Sequence, residues 1–211
     1  MPRRSSSSSR WLQRQARDSF VKQSRQDGYR SRAAYKLIEI NRRDRLMQAG
    51  SRVVDLGAAP GGWTQVAASI VGPRGTVLAL DVLKMEPVAG ATVIEGDFRT
   101  AAVRAAAAAA LGGTTVDLVM SDMAPNISGI RDRDEAAAEK LILMALDFAR
   151  EHLGRGGAML VKLFEYPGTD ELVRELARTF ERVSRRKPEA SRAGSREFYV
   201  VAKGFTPGIG I

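Results

Sequence analysis

From Gly50 onward the apolar positions fall into short β-branched or aliphatic runs, Arg52–Leu56, Thr76–Leu80, Ala91–Glu95, Val116–Met120 and Ala158–Leu163, with helically spaced stretches among them. Helices are expected over Gly61–Val71, Thr100–Leu111, Asp134–Leu153 and Thr169–Phe180, the third closed by Gly154 and Gly156. Parallel strands need a crossover, and a helix supplies it, so this alternation predicts a parallel α/β sheet. Two further runs, Arg182–Arg186 and Glu197–Ala202, have no helix between them and should pair as an antiparallel, hairpin-like edge, which brings the sheet to seven strands.

The first fifty residues have a different texture. Ser31–Met47 should be a helix, with Ser31 as its cap, Ala34, Leu37, Ile38 and Leu46 at helical spacing, and Arg32 and Lys36 on one face. Arg10–Gln26 places Trp11, Leu12, Phe20 and Val21 among basic residues, the pattern of a basic surface helix, and Pro2–Ser9 is Ser-rich with nothing apolar to bury. The expected organisation is a basic arm over residues 1–30, one domain over 31–204 and a Gly-rich tail over 205–211. A length of 211 residues with 44% hydrophobic composition suits one well-buried core.

Charge sharpens this division. The first fifty residues hold 13 Lys or Arg against 4 Asp or Glu, which accounts for the whole net charge of +9; the remainder balances at 20 against 20. A neutral body with a cationic arm reads as a polyanion-binding device, nucleic acid before anionic lipid, because each cation placed on a phosphate releases counterions. No apolar run approaches the roughly 20 residues that span a bilayer, and the Arg- and Ser-rich start lacks the apolar segment of a secretory signal, so a cytoplasmic monomer with no membrane partner is expected. The absence of cysteine and the single histidine argue against thiol nucleophiles, zinc clusters and His-dependent triads. The chemistry must then come from Lys, Asp, Glu or a cofactor, with no metal.

The segment Val53 to Trp63, Val-Val-Asp-Leu-Gly-Ala-Ala-Pro-Gly-Gly-Trp, runs from a strand through a glycine turn into a helix start. Gly57 and Gly61 let the backbone approach a ligand, and Pro60 suits a helix start. Asp81 ends the next strand about 20 residues on, where a carboxylate can accept from both hydroxyls of an adenosine ribose, and Asp97 ends the third. Asp55, Asp81 and Asp97 should face one crevice. An anionic pyrophosphate sits poorly there, so a nicotinamide dinucleotide is the weaker reading and a sulfonium donor bearing an ammonium group the better one. Strand-end turn carboxylates are the plain alternative.

Asp122, in Met120-Ser121-Asp122-Met123-Ala124-Pro125-Asn126, ends the fourth strand on the same side, and Lys162 lies inside the apolar strand Met159–Phe164. A lysine buried in such a run is costly and therefore a functional candidate, unless it snorkels from an edge strand.

With these residues in place, the chain resembles the FtsJ-type, or RlmE-family, ribosomal RNA 2′-O-methyltransferases over nearly its whole length. The resemblance is carried by Ser9–Leu12, Arg30–Leu37, Asp55–Trp63, Ser121–Asn126 with Ser128-Gly129, Val161-Lys162, and Ser191–Ala193 through Ser195–Glu197. It implies a Rossmann-like S-adenosylmethionine-dependent methyltransferase fold, a catalytic tetrad of Lys36, Asp122, Lys162 and Glu197, and a donor site at Gly61, Trp63, Asp81, Asp97 and Asp122. It further implies a uridine of the A-loop of 23S rRNA, within the 50S subunit, as acceptor. The same chemistry on tRNA or another RNA, and a noncatalytic ribosome-assembly factor, are the alternatives.

In the mechanism this implies, Lys162 is the general base for the 2′-hydroxyl, Asp122 orients it, Lys36 steadies the oxygen or a neighbouring phosphate, and Glu197 holds the lysine pair. A base must be neutral, and the mixture of two lysines with two carboxylates titrates as a coupled unit. If Lys162 only positions the hydroxyl, proximity supplies most of the acceleration. Arg10, Arg30 and Arg32, with Arg185, Arg186, Lys187 and Arg192 as a second stretch, are expected on RNA phosphates, which position without specifying. Tyr35 or Trp11 could stack on a splayed base, though packing is the plainer role for both, and His152 is read as a dipole or solvent contact at a helix end. The loop Ile130–Asp134 is assigned no role.

Overall fold

The computed structural model describes residues 19–126, 128–192 and 194–208. Two helices, α1 (Ser19–Gln26) and α2 (Ala33–Asp44), lead into β1 (Arg52–Leu56), α3 (Gly62–Val71), β2 (Thr76–Asp81), β3 (Thr92–Glu95), α4 (Ala101–Leu111) and β4 (Val116–Ser121). There follow α5 (Arg131–His152), β5 (Leu153–Phe164), α6 (Thr169–Thr179), β6 (Phe180–Arg186) and β7 (Glu197–Phe205). The strands form one sheet in the order β3-β2-β1-β4-β5-β7-β6, with β1 to β5 parallel and β7 antiparallel to both β5 and β6.

Period-2 alternation along the strands builds a layer on each face. Val54, Leu56, Val119, Met159 and Val161 pack against α4, α5 and α6 through Leu111, Ile142, Phe148, Leu172 and Leu176. Val53, Val77, Leu118, Met120 and Leu160 pack against α2 and α3 through Leu37, Ile40, Trp63 and Val66. The parallel strands are thus covered on both sides, which is why they read as continuous apolar runs.

The sheet departs from the sequence reading in instructive places. The last two strands do pair, but β7 inserts beside β5 and leaves β6 as the edge. Gly154 and Gly156 do not follow a helix end; they lie in β5, where the pairing with β4 shifts register and Gly156 takes φ +80°. Ser31 makes no side-chain cap for α2, whose N-cap position is Arg32. Asp134 lies inside α5, and its carboxylate reaches back to accept from the Ser128 hydroxyl and the Ser128 and Gly129 amides at 2.6, 2.8 and 3.1 Å. His152 is not a solvent contact: its ring stacks on Phe148 at 4.3 Å, and burial, ahead of its charged neighbours, holds its pKa below the ordinary value. Among the described residues no helix is long and apolar enough to cross a membrane.

Candidate active site

The C-terminal ends of β1 to β4 enclose a cavity of about 510 Å³ whose walls include Gly57, Asp81, Asp97, Asp122, Phe98 and Met123. Such a crevice beyond the carboxyl ends of parallel strands is where open α/β sheets bind ligands. Gly57 has φ +74°, and a Cβ there would fall 2.2 Å from Met123 Cγ, so the turn and the β4 loop can approach this closely only at a glycine. Asp81 accepts from the Ala59 and Leu83 amides, both at 2.8 Å; it ties the glycine turn to the end of β2 and keeps lone pairs for a ligand. Asp97 is gripped by Arg99, whose Nε donates to both carboxylate oxygens at 2.8 and 2.7 Å, and that hydrogen bonding holds its pKa down.

Three residues expected in the donor site do not line this cavity. Asp55 is 1% exposed and accepts from Thr64 Oγ1 at 2.7 Å, beneath the turn rather than facing the crevice. Burial, opposed by Thr64, pushes its pKa up to about 7. The Trp63 indole is buried against Tyr199 and donates to the Ala33 carbonyl at 2.8 Å. Gly61 precedes α3 with φ +105°, and a Cβ there would meet Arg30 Nη1 at 2.9 Å and Met85 Sδ at 3.0 Å. Trp63 and Gly61 therefore shape the turn.

Beside the cavity, β4, β5, β7 and α2 bring Asp122, Lys162, Glu197 and Lys36 together as expected. Lys162 Nζ donates to the Asp122 carbonyl at 2.5 Å and lies 3.1 Å from Oδ1 of the same residue. Lys36 Nζ contacts Glu197 Oε1 at 2.6 Å. Burial works to raise the Glu197 pKa, but the hydrogen bond and charge of Lys36 outweigh it and leave the carboxyl below its ordinary range. Lys162 is on an internal strand, so the snorkelling alternative falls away.

A fifth residue was missed. Tyr199 pairs with Lys162 across β5 and β7; its hydroxyl accepts from Lys36 Nζ at 3.1 Å and donates to Asp122 Oδ1 at 2.6 Å. Burial, then the Asp122 charge, raises its pKa well above that of a free phenol, so it remains a donor. The available signal was its spacing: two residues after Glu197 on a strand puts it on the same face.

The basic residues expected on phosphates are largely engaged within the protein. Arg30 clamps the carbonyls of Pro60, Glu86 and Pro87 at 3.2, 2.6 and 2.7 Å. Arg32 donates to the Ala190 carbonyl and lies over the Phe20 ring. Arg186 forms a two-pronged pair with Asp44 at 2.8 and 2.6 Å, Arg185 pairs with Glu165 and Asp170, and Lys187 donates to the carbonyls of Ser195 and Glu197. A guanidinium carries five donors, and carbonyls held in place by the fold compete directly with a mobile phosphate for them. Tyr35 packs against Phe20 and Tyr29 and donates to Asp27, so it serves packing rather than an open stacking surface. Arg10 and Trp11 lie outside the described residues.

An α/β sheet of this order, with an acidic crevice beside a lysine–carboxylate network, defines a methyltransferase-type fold. Residues 29–205 match the FtsJ-like methyltransferase family, and the chain belongs to it. It is 52% identical over 202 residues to the ribosomal RNA large subunit methyltransferase E of Marinobacter nauticus, covering 96% of this chain and 98% of that protein. It is 54% identical over 198 residues to the protein of the same name from Alkalilimnicola ehrlichii, covering 94% and 95%. Among solved structures, a Plasmodium falciparum protein assigned as a ribosomal RNA methyltransferase superposes with a TM-score of 0.76 at 27% identity, covering 87% of this chain and all of that one.

Proposed function

We propose that the protein methylates the ribose 2′-hydroxyl of a uridine in large-subunit ribosomal RNA, in the A-loop of 23S rRNA within the 50S subunit, with S-adenosylmethionine as donor. The observation that carries this reading is the network Lys162–Asp122–Tyr199–Lys36–Glu197, whose Asp122 also walls the acidic cavity. The names of the relatives support ribosomal RNA as the substrate. The Lys-Asp-Lys-Glu set supports transfer to a hydroxyl oxygen, since a weak nucleophile needs a proton acceptor beside it.

The cavity suits the donor. Its volume falls within the range of small-molecule sites, its polar lining includes Asp81, Asp97 and Asp122, and its one guanidinium among the described residues, that of Arg99, is already paired with Asp97. Asp81 and Asp97 would hold the adenosine hydroxyls and base edge, Asp122 would face the ammonium end, and the backbone at Gly57 would close the floor. When bound, the donor supplies an electrophilic methyl carbon on a positively charged sulfur.

The remaining work belongs to the chain. Lys162 stands beside the place for the 2′-hydroxyl and, as the neutral amine, takes its proton; the ammonium so formed is held by the carbonyl and carboxylate of Asp122. Lys36, held by Glu197 and Tyr199, contributes positive charge next to the oxygen as it becomes anionic.

The test is transfer of radiolabelled methyl from S-adenosylmethionine to 50S particles lacking their native 2′-O-methyl groups, with free rRNA and tRNA in parallel. Wild type should place label in alkali-resistant dinucleotides of 50S rRNA, and Lys162→Ala should abolish turnover while retaining donor binding. Near-normal single-turnover transfer by Lys162→Ala would remove the base role, label only in tRNA would overturn the substrate, and donor binding without any transfer would favour an assembly factor.

A further inference from the structure

A second cavity, of about 320 Å³, opens on the other side of the β4–α5 connection, and nothing above uses it. Its walls include Pro125, Phe164, Tyr166, Ala138, Arg131 and Arg196. Pro125, Ala138 and Phe164 also line a narrow cleft that reaches Lys162, and Lys162 Nζ lies 5.8 Å from the centre of the Phe164 ring. The cavity therefore begins one side chain away from the proposed base. A ribose whose 2′-oxygen met Lys162 would carry its base only a few bonds from that point, and the volume, at the lower end of small-molecule sites, suits one heterocycle rather than a dinucleotide.

On the rim stands Ile130, between the lining residues Gly129 and Arg131, with 61% of its surface exposed. It is not held there loosely. Asp134 captures the Ser128 hydroxyl and the Ser128 and Gly129 amides, the Ser128 hydroxyl accepts from the Ile130 amide at 3.2 Å, and the Ile130 carbonyl accepts from the Asp134 amide at 3.0 Å. A loop that spends this many hydrogen bonds to present an aliphatic side chain to water is arranged for something apolar to meet it. Arg131 and Arg133 follow in alternation with Asp132 and Asp134, and Arg131 pairs with Glu135 at 2.8 Å, so the apolar tip stands beside a helix start of mixed charge; an exposed aliphatic side chain in such a setting matches the wedges that proteins insert between bases.

We propose that this cavity receives the base of the target nucleotide, stacked on Phe164, and that Ile130 enters the stack the base has left. The proposal rests on the RNA 2′-hydroxyl reading above. It explains how a hydroxyl within folded RNA reaches Lys162: the nucleotide leaves its stack, and the loop preceding α5 compensates the gap.

The experiment compares single-turnover methyl transfer to unmethylated 50S particles, at saturating particles and donor, for wild type, Ile130→Ser, Ile130→Leu and Phe164→Leu. Melting temperature and donor affinity are measured on each. Ile130→Ser should be slower by about tenfold, Ile130→Leu should stay within about twofold of wild type because it keeps an aliphatic wedge, and Phe164→Leu should be slower by about tenfold through loss of the stacking face. Melting and donor binding should be unchanged in all three. Wild-type rates in Ile130→Ser, or equal losses in the serine and leucine variants, would overturn the wedge, and a wild-type rate in Phe164→Leu would overturn the base pocket. Failure of wild type itself to label any RNA would overturn the underlying reading and this one with it.

Discussion

The Tyr199 hydroxyl donates to Asp122 Oδ1 at 2.6 Å, and the Tyr199 oxygen accepts from Lys36 Nζ at 3.1 Å, so one phenol joins two lysine–carboxylate pairs that would otherwise be separate. Tyr199→Phe keeps the ring against Trp63 but removes the donor and leaves buried polar groups without it. The variant should fold, lose about 1–3 kcal/mol of stability, and transfer methyl more slowly by roughly one order of magnitude, with donor affinity retained. Chemical denaturation and single-turnover rates check this; an activity loss as complete as that of Lys162→Ala would give Tyr199 a direct part in the chemistry.

Asp55 predicts a pH dependence of stability. Its folded pKa of about 7 lies above that of an unfolded aspartate, so between about pH 4 and 7 the folded state binds more protons than the unfolded state and stability falls as pH rises. The cost at neutral pH is on the order of 4 kcal/mol. Asp55→Asn retains an acceptor for Thr64 and cannot ionise; its stability, followed by denaturant titration across that window, should decline less steeply than that of wild type.

Arg186 and Asp44 join β6 to the end of α2 through a two-pronged, mostly buried pair. Arg186→Ala would leave the Asp44 carboxylate unpaired and should cost about 3 kcal/mol. If the pair is the residue's main work, the salt dependence of RNA binding should keep its slope, since no phosphate contact is removed. A slope lowered by about one unit would show a phosphate contact at Arg186.

At Gly57 the prediction concerns the donor. Gly57→Ala combines a left-handed backbone with a Cβ 2.2 Å from Met123 Cγ, and the strain must move either the glycine turn or the β4 loop. Donor affinity, measured calorimetrically, should fall by at least about tenfold, with a smaller effect on folding.

Much of this was readable in the residues because strands and acids announce themselves locally. The apolar runs located the five parallel strands, and Asp81, Asp97 and Asp122 at strand ends do meet in one cavity. Asp55 was misplaced because a strand-end position does not reveal whether the carboxylate points to solvent or turns under the loop toward Thr64. The partners of the arginines were hidden for a related reason. Composition records a cation, but the carbonyls that Arg30 clamps belong to segments 30 to 57 residues away, and the Asp44 that holds Arg186 is 142 residues distant. Tyr199 stayed hidden because a tyrosine in an apolar strand reads as core, and its ring is indeed fully buried; only the pairing of β7 with β5 shows what its hydroxyl touches.

The insertion of β7 between β5 and β6 bears on the order in which the protein comes into being. The acidic crevice is walled by the ends of the first four strands together with Leu141 and Met144 of α5, whereas Glu197 and Tyr199 arrive on the last strand made and must slot in beside β5. A nascent chain can thus form the acidic crevice well before it acquires the residues that hold Lys36. The network around Lys36 is therefore complete only once the final strand has paired with β5.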